Sequence, residues 1–489
     1  MGYSLEEKVR WLAITSRISV VFLQFLLNIL IPDHDAGVFI KPSKNNGTGS
    51  FVDYAVHYCL EGLSRWDAQY FLHIAQYGYT YENTLAFFPM FPLAIRELSA
   101  FLTYVCNNVI GCFVYVNKLI SFDNALLMSA VILNNFIFVK TVTVLFMLGT
   151  SVLKNEKLSF MSCVLFCFNP ASIFFSAAYS ESLYCFLSFY GMLQVERENF
   201  LLAGVLFGLS GATRSNGITN VGFLAYRYLK RRGNKKYSFL GDTALFSVCI
   251  IVSFLPFVLY QAYGYLRYCL PEKASLPEFI VAYGVENNFV FPGSNSSWCN
   301  NAIPMAYSYV QSHYWNVGFL RYYEIKQIPN FFLALPVFFI VFIGSFDYVS
   351  IHRTAVLYLG FRSGTGSSAV PIFAFPYVVH CCILSTFAAL VIHIQVATRL
   401  LCSSSPIPYW FSAWFVARDV KETVHNLVSK KFPKKGKFYY SESSENKNSR
   451  WRTFLFSRDF QGAALWVKYY YLSYFFLGTL MFSNYLPWT

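Results

Sequence analysis

Long apolar, aromatic-rich runs separated by polar stretches dominate the chain. Runs near membrane-span length lie at 11–31 and near 87–106, 124–150, 158–175, 178–195, 200–213, 216–229, 241–263, 328–348, 371–398 and 463–485. A bilayer core takes about 20 helical residues, so these runs predict about eleven or twelve membrane elements, the shorter ones half-spans or re-entrant segments. Barrel strands would alternate every second residue, and these runs do not, so the elements are expected to be helices. The expected fold is an all-α polytopic membrane protein, a helical bundle with interfacial helices in its loops and one integral-membrane domain over 1–489.

Lys8 and Arg10 precede the first run, whose single charge is Arg17. Pro32 and Asp33 follow it without a small-residue cleavage site, so it reads as an uncleaved anchor with a cytoplasmic N-terminus rather than a signal peptide. Two polar segments, about 32–86 and 264–327, are too long to be simple connectors. Each holds one glycosylation sequon, Asn46-Gly47-Thr48 and Asn295-Ser296-Ser297, which assigns both to the lumen. The basic run Lys230, Arg231, Arg232, Lys235 and Lys236 then falls in the cytoplasm. Strict alternation between the two loops gives an odd number of crossings, which makes 107–123 a candidate for a further short span. A third polar segment, 399–462, carries an aromatic patch, Pro408-Tyr409-Trp410-Phe411, that reads as interfacial, and then a variable polar loop over about 430–462. The sequence contains no visible 20–50-residue repeat.

Composition sharpens this picture. Of 489 residues, 56% are hydrophobic and only 13% charged, against about 25% charged in soluble domains. With 52 Phe and a mean hydropathy of +0.42, a soluble, disordered or collagen-like chain is excluded. The net charge of +13 sits in short runs flanking apolar stretches, which fits interfacial anchoring and not nucleic acid. The 12 cysteines are dispersed and lack paired metal-ligand spacing, so no zinc site is expected. Cys269 and Cys299 are the only cysteines of the second loop, and an oxidising lumen lets them pair, with Cys59 the alternative partner.

Polar groups gathered in a loop of a many-span chain are the natural place for a site at the membrane surface. The first loop reads Ser64-Arg65-Trp66-Asp67-Ala68-Gln69-Tyr70, in which Ser64 stands at N-cap spacing from Asp67, so a short helix is expected to begin there. On it Trp66, Tyr70, His73 and Tyr77 share one stripe and Asp67, Phe71 and Ile74 another. A carboxylate among apolar neighbours suits a general base. A cap on the helix dipole explains the same spacing, and Trp66 and the tyrosines equally fit an interfacial belt.

The run from Trp66 to Pro92, with Tyr314-Trp315-Asn316-Val317-Gly318-Phe319-Leu320-Arg321-Tyr322-Tyr323-Glu324, closely resembles the PIG-V type GPI mannosyltransferase 2 family. So do Ile31-Pro32-Asp33-His34, Asn169-Pro170-Ala171, Tyr179-Ser180-Glu181, Thr213-Arg214-Ser215-Asn216-Gly217, Ser404-Ser405-Pro406-Ile407 and Leu486-Pro487-Trp488-Thr489. The likeness spans nearly the whole chain and fails only over 430–462. It implies a GT-C architecture in the endoplasmic reticulum membrane, with the acidic residue of the first luminal loop as catalytic base. Asp67 is the matching position. It further implies inverting transfer of mannose from dolichol-phosphate-mannose to the 6-hydroxyl of the first mannose on a glycolipid acceptor, mannosyl-glucosaminyl-acyl-phosphatidylinositol. No cofactor beyond that donor is implied, and a divalent metal and protein partners are left open.

Dolichyl phosphate is a good leaving group, so such a transfer needs one carboxylate and a phosphate clamp. Arg65, Arg214 and Arg321 are candidate clamps, because guanidinium grips phosphate in a fixed fork. Trp66, Glu181, Trp315 and Asn316 are candidate substrate contacts. Arg214 also reads as a snorkelling charge and Glu181 as a helix cap, while His73 and His313 read as interfacial or structural. A multispan transporter or channel, with Arg17 and Arg96 on its path, explains the spans but not the polar motifs gathered in loops. A sibling mannosyltransferase acting one step earlier or later is the nearer alternative.

Overall fold

The computed structural model describes residues 4–42, 50–110, 119–232, 239–271, 276–361, 370–431 and 462–488. Among them all regular elements are helical. The first, α1 (Leu5–Leu30), opens on a capping box: Ser4 Oγ accepts the Glu7 N–H at 3.2 Å and Glu7 Oε2 accepts the Ser4 N–H at 2.7 Å. The first polar segment contributes α2 (Phe51–Leu60) and α3 (Ala68–Tyr77). There follow α4 (Met90–Tyr104), α5 (Phe122–Leu153), α6 (Glu156–Cys167), α7 (Glu181–Glu196), α8 (Phe200–Thr213), α9 (Val221–Arg232) and α10 (Phe239–Cys269). The second polar segment holds α11 (Glu278–Glu286) and α12 (Ala306–Trp315). The chain continues through α13 (Ile328–Ile351), α14 (Arg353–Leu357), α15 (Phe375–Leu390), α16 (Ala397–Ser404), α17 (Ile407–Lys431) and α18 (Gly462–Ser483).

Among the described residues, five helical stretches are long and apolar enough to cross a membrane: α1, α5, α10, Ile325–Ile351 and Ile372–Leu390. Their outer faces keep large apolar side chains exposed, such as Ile251, Val258 and Leu259 on α10 and Phe332, Phe339 and Phe342 on α13. Surface of that kind belongs against lipid. The shorter α7 and α8 lie inside, and most of their residues are buried. Packing runs from α5 to α7, from α7 to α8 and from α8 to α10. At the last contact the backbones nearly touch, since a Cβ on Gly208 would come within 2.7 Å of the Val252 carbonyl.

Every expected run contains a helix, but three details differ. The run 158–175 is not one span: α6 stops at Cys167, where Asn169 caps the break by donating to the Phe166 carbonyl at 2.8 Å and accepting the Ala171 N–H at 2.9 Å, and Pro170 supplies no N–H. The run 371–398 splits into α15 and α16, and α17 is an unexpected helix. The aromatic patch at 408–411 is core and not interface, because Tyr409, Trp410 and Phe411 are fully buried in the bundle. Of the 107–123 candidate span, 111–118 lies outside the described residues, as do Asn46 and the 432–461 part of the variable loop.

Arg17 does not line a polar path. Its buried guanidinium donates to the Ser172 carbonyl at 2.9 Å, to Ser176 Oγ at 3.0 Å, to Ser172 Oγ and to the Cys167 carbonyl, and it stacks 3.9 Å above Phe138. It thus satisfies carbonyls released where α6 ends, a C-cap supplied from another helix. Arg96 is exposed. Cys269 and Cys299 are bonded, with Cα atoms 5.5 Å apart, while Cys59 is free and exposed.

Candidate active site

The first loop reaches the bundle through Trp66, whose φ of +58° is left-handed and rare for a bulky residue. This residue turns the chain sharply, so α3 begins at Ala68 and Asp67 takes the N-cap position without any side-chain capping bond. The capping-box expectation therefore fails, and Ser64 Oγ bonds the Glu61 carbonyl at 2.7 Å instead. Asp67 does not face an apolar stripe either. Its Oδ2 accepts from Arg399 Nη2 at 2.9 Å, and its backbone N–H donates to the Tyr179 hydroxyl at 2.9 Å. The carboxylate side chain stays 28% exposed, and among the described residues its Oδ1 makes no hydrogen bond.

Tyr179 belongs to the irregular stretch between α6 and α7, which is pinned from three sides. Arg17 holds Ser172 and Ser176, Asn134 Nδ2 donates to the Ala177 and Tyr179 carbonyls at 2.6 and 2.8 Å, and the Ala178 N–H reaches the Leu63 carbonyl at 3.0 Å. Directly after it, Glu181 opens α7 fully buried, where the helix N-terminus favours its negative charge. Its Oε1 pairs with Arg214 and lies 3.9 Å from Arg399 Nε. Its Oε2 and Arg399 Nε are both buried without a hydrogen bond.

Arg214 ends α8 in extended backbone, and the following turn folds back so tightly that only Gly217 fits. A Cβ there would lie 2.5 Å from the Ser210 carbonyl carbon. Asn216 next to it donates to Tyr184 and to Ser404, both at 2.9 Å, tying the turn to α7 and α16. The result is an alternating chain of charges, Asp67, Arg399, Glu181 and Arg214, which four separate segments contribute and whose formal charge sums to zero. Arg399 stacks between the Phe174 and Tyr179 rings at 5.3 and 5.5 Å and bridges the two acids.

Beside Asp67 an aromatic wall is built. Tyr70 stacks on Phe39 at 4.2 Å and on Phe87 at 4.6 Å, and Trp315 from α12 meets Tyr70 and Phe87 edge-on at 6.1 and 6.0 Å. The second loop is fastened there by Glu82, whose carboxylate accepts from Trp298 Nε1 and from the Tyr314 hydroxyl, both at 2.8 Å.

The remaining site candidates are dispersed. Arg65 is buried and held by Asp33 at 2.7 Å, Glu61 at 2.9 Å and the Ser483 carbonyl at 3.3 Å. Trp66 keeps a buried Nε1 without a hydrogen bond and packs 6.0 Å from Tyr485. Asn316 is the left-handed C-cap of α12, and Arg321 is exposed without an ion pair among the described residues. Asn295 is exposed. His73 is buried against Thr80 at 2.7 Å, and burial, helped by the Lys41 charge, lowers its pKa to about 3. His313 is exposed on the surface, stacked on Tyr309. Sequence reasoning missed Arg399 and the hydroxyl of Tyr179. The signal for Arg399 was a lone arginine ending an apolar run just before Ser404-Ser405-Pro406-Ile407.

A helical bundle with several membrane-crossing helices and a charged site at the first loop defines a polytopic membrane protein, and its relatives make it a glycosyltransferase. The profile described as Mannosyltransferase (PIG-V) matches residues 6–489. The chain belongs to the PIG-V mannosyltransferase family. It is 37% identical over 507 residues to the GPI alpha-1,6-mannosyltransferase 2 of Cricetulus griseus and 36% identical over 503 residues to that of Homo sapiens, in each case over 99% of both chains. It is 34% identical to the GPI mannosyltransferase 2 of Drosophila melanogaster, covering 99% of this chain and 100% of the relative. Among solved structures, the apo oligosaccharyltransferase of Archaeoglobus fulgidus aligns at a TM-score of 0.42 and 11% identity, over 98% of this chain and 56% of that one.

Proposed function

We propose that this mannosyltransferase adds the second, α-1,6-linked mannose to the one-mannose GPI-anchor precursor, using dolichol-phosphate-mannose, at a site on the luminal side of the endoplasmic reticulum membrane. Family membership and the names of the full-length relatives support the reaction. The mechanism rests on one observation: the Asp67 carboxylate is fixed through Oδ2 by Arg399, while Oδ1 is left for a substrate.

The acceptor 6-hydroxyl oxygen attacks C1 of the donor mannose as its proton passes to Asp67 Oδ1. The bond from C1 to the phosphate oxygen breaks with its electron pair on dolichyl phosphate, and the configuration at C1 inverts. Because the leaving group is already stable as an anion, one carboxylate suffices, unlike the two of a hydrolase. The role of Arg399 is to stop Asp67 from swinging, which preserves the attack geometry. Arg399 and Arg214 also place positive charge where the phosphate departs, although both are balanced by acids in the free protein. The wall of Tyr70, Phe87 and Trp315 offers apolar faces for the acceptor sugar.

The test is mannose transfer by purified protein in nanodiscs, given labelled dolichol-phosphate-mannose and the one-mannose glycolipid. The expected product releases its new mannose to an α-1,6-specific mannosidase. Transfer from a nucleotide sugar without the lipid donor, or a product with another linkage, would overturn the proposal.

A further inference from the structure

Arg321 stands apart from the chain of charges at Asp67, on the segment 316–324 between α12 and α13. That segment is firmly built. The Leu320 N–H donates to the Leu390 carbonyl at 2.7 Å, with Leu320 itself left-handed at a φ of +55°, and the Tyr323 hydroxyl donates to the Ala389 carbonyl at 2.9 Å. Both bonds tie the loop to the end of α15. Between them Tyr322 stacks on His393 at 4.5 Å, and its hydroxyl donates to Gln395 Oε1 and accepts from Asn330 Nδ2, both at 2.9 Å. His393 in turn hydrogen-bonds the backbone of Trp315, which couples the loop to the aromatic wall beside Asp67.

The stem of Arg321 lies against Gly318, where a Cβ would come within 2.8 Å of its Cδ and Nε. The seat is open because residue 318 has no side chain. Within 316–327 the other cation, Lys326, pairs with Glu324 at 2.7 Å, whereas Arg321 is exposed with no ion pair among the described residues. Around it Phe319, Tyr323 and Ile325 are exposed, and they continue the exposed stripe Ile328, Phe332, Leu335, Phe339 and Phe342 along one face of α13. Because Ile325–Ile351 is long and apolar enough to cross a membrane, that stripe meets acyl chains, and Phe319, Arg321 and Tyr323 come at the depth of the lipid headgroups.

A free guanidinium at that depth is matched to a lipid phosphate. Any phospholipid would satisfy its charge, but none gives a reason for locking the loop to Trp315. The glycolipid acceptor does. Its phosphodiester stays at the bilayer surface with the lipid anchor, while its inositol, glucosamine and mannose rings extend toward the carboxylate. We propose that Arg321 binds the phosphodiester of the glycolipid acceptor at the membrane surface, and that the loop 316–324 sets the reach from that phosphate past Trp315 to Asp67. The proposal rests on the acceptor proposed above and adds which residue reads its lipid end. Arg321 thereby serves the acceptor and not the leaving phosphate of the donor.

Full-length parent and Arg321→Gln proteins in phosphatidylcholine nanodiscs are assayed with the one-mannose glycolipid and with an analogue whose identical glycan is joined to its lipid through an uncharged ether in place of the phosphodiester. With the natural acceptor, Arg321→Gln should raise the acceptor KM by about tenfold and change kcat and the donor KM by less than about twofold. Arg321→Lys should recover part of the loss, since it keeps the charge without the fork. With the uncharged analogue the parent should itself show the raised KM, and the difference between the two proteins should vanish, which also shows the variant to be folded. An arginine that only anchors the loop to bulk phospholipid predicts an equal KM penalty with both acceptors, or one that appears only when phosphatidylinositol is added to the nanodisc. Either of those results, a raised donor KM, or an unchanged acceptor KM would overturn the proposal and leave the reaction intact. Failure of the parent protein to mannosylate the one-mannose glycolipid at all would overturn both.

Discussion

The pair Asp67 and Arg399 can be tested by a double-mutant cycle of Asp67→Asn and Arg399→Gln. The two side chains meet at 2.9 Å and are 28% and 10% exposed. At an effective dielectric of about 20, opposite charges at that distance attract by about 6 kcal/mol. Desolvation of the two ions offsets most of this, and a charge-assisted hydrogen bond nets roughly 1.5–3 kcal/mol. Loss of Arg399 leaves Glu181 with Arg214, so the cycle isolates the Asp67 contact. Unfolding of the four purified proteins in one detergent should give a coupling energy of about 2 kcal/mol. Mannose transfer by Arg399→Gln should fall by about ten- to a hundredfold, and Arg399→Lys should recover part of it, because lysine keeps the charge but not the fork. Stability losses that simply add, within about 0.5 kcal/mol, would refute the claim that Arg399 holds the carboxylate.

Replacing Cys269 and Cys299 by Ser opens a loop whose ends are 30 residues apart, worth about 3.6 kcal/mol in the chain-entropy treatment, and amide exchange across 276–327 should speed up accordingly. Both thiols should resist labelling in unreduced parent protein. Glu82→Ala leaves Trp298 Nε1 and the Tyr314 hydroxyl without their acceptor and should cost roughly 3 kcal/mol, read as a lower Tm, while Glu82→Gln should cost less. His73 has a pKa lowered from 6.5 to about 3, so the folded state resists its protonation: the stability it contributes is complete above about pH 6.5 and drains away as the pH falls toward 3. His73→Gln should therefore flatten the decline in Tm between about pH 6.5 and 4, and an unchanged slope would count against this assignment.

Much of the architecture could be read from hydrophobicity because lipid-facing helices must be apolar along their whole length. The same signal failed where a run bends inside protein. Asn169 and Pro170 break 158–175, and Arg399, on the separate helix α16, has its charge matched by acids from other segments, a fact that no local pattern contains. Likewise Pro408-Tyr409-Trp410-Phe411 has the composition of an interfacial belt, yet α17 carries it into the core. Asp67 was legible as a candidate from spacing and resemblance, but neither its missing side-chain capping bond nor its Arg399 partner is visible in the sequence. Arg65 shows the converse: it stands two residues before Asp67 in sequence, yet its guanidinium is held by Asp33 and Glu61 and not by the site's chain of charges. The pairing of Cys269 with Cys299 followed from their being alone in one loop.

The most direct measurement is mannose transfer to the one-mannose glycolipid by Asp67→Asn protein, with protein level checked in the same microsomes. The substitution keeps size and hydrogen-bond reach but removes the proton acceptor. With Asp67 as base, the rate falls by roughly a hundredfold or more, the one-mannose intermediate accumulates and the protein is present at the parental level. Unimpaired conversion by a normally expressed Asp67→Asn protein would contradict the mechanism at its centre and leave Asp67 a structural partner of Arg399.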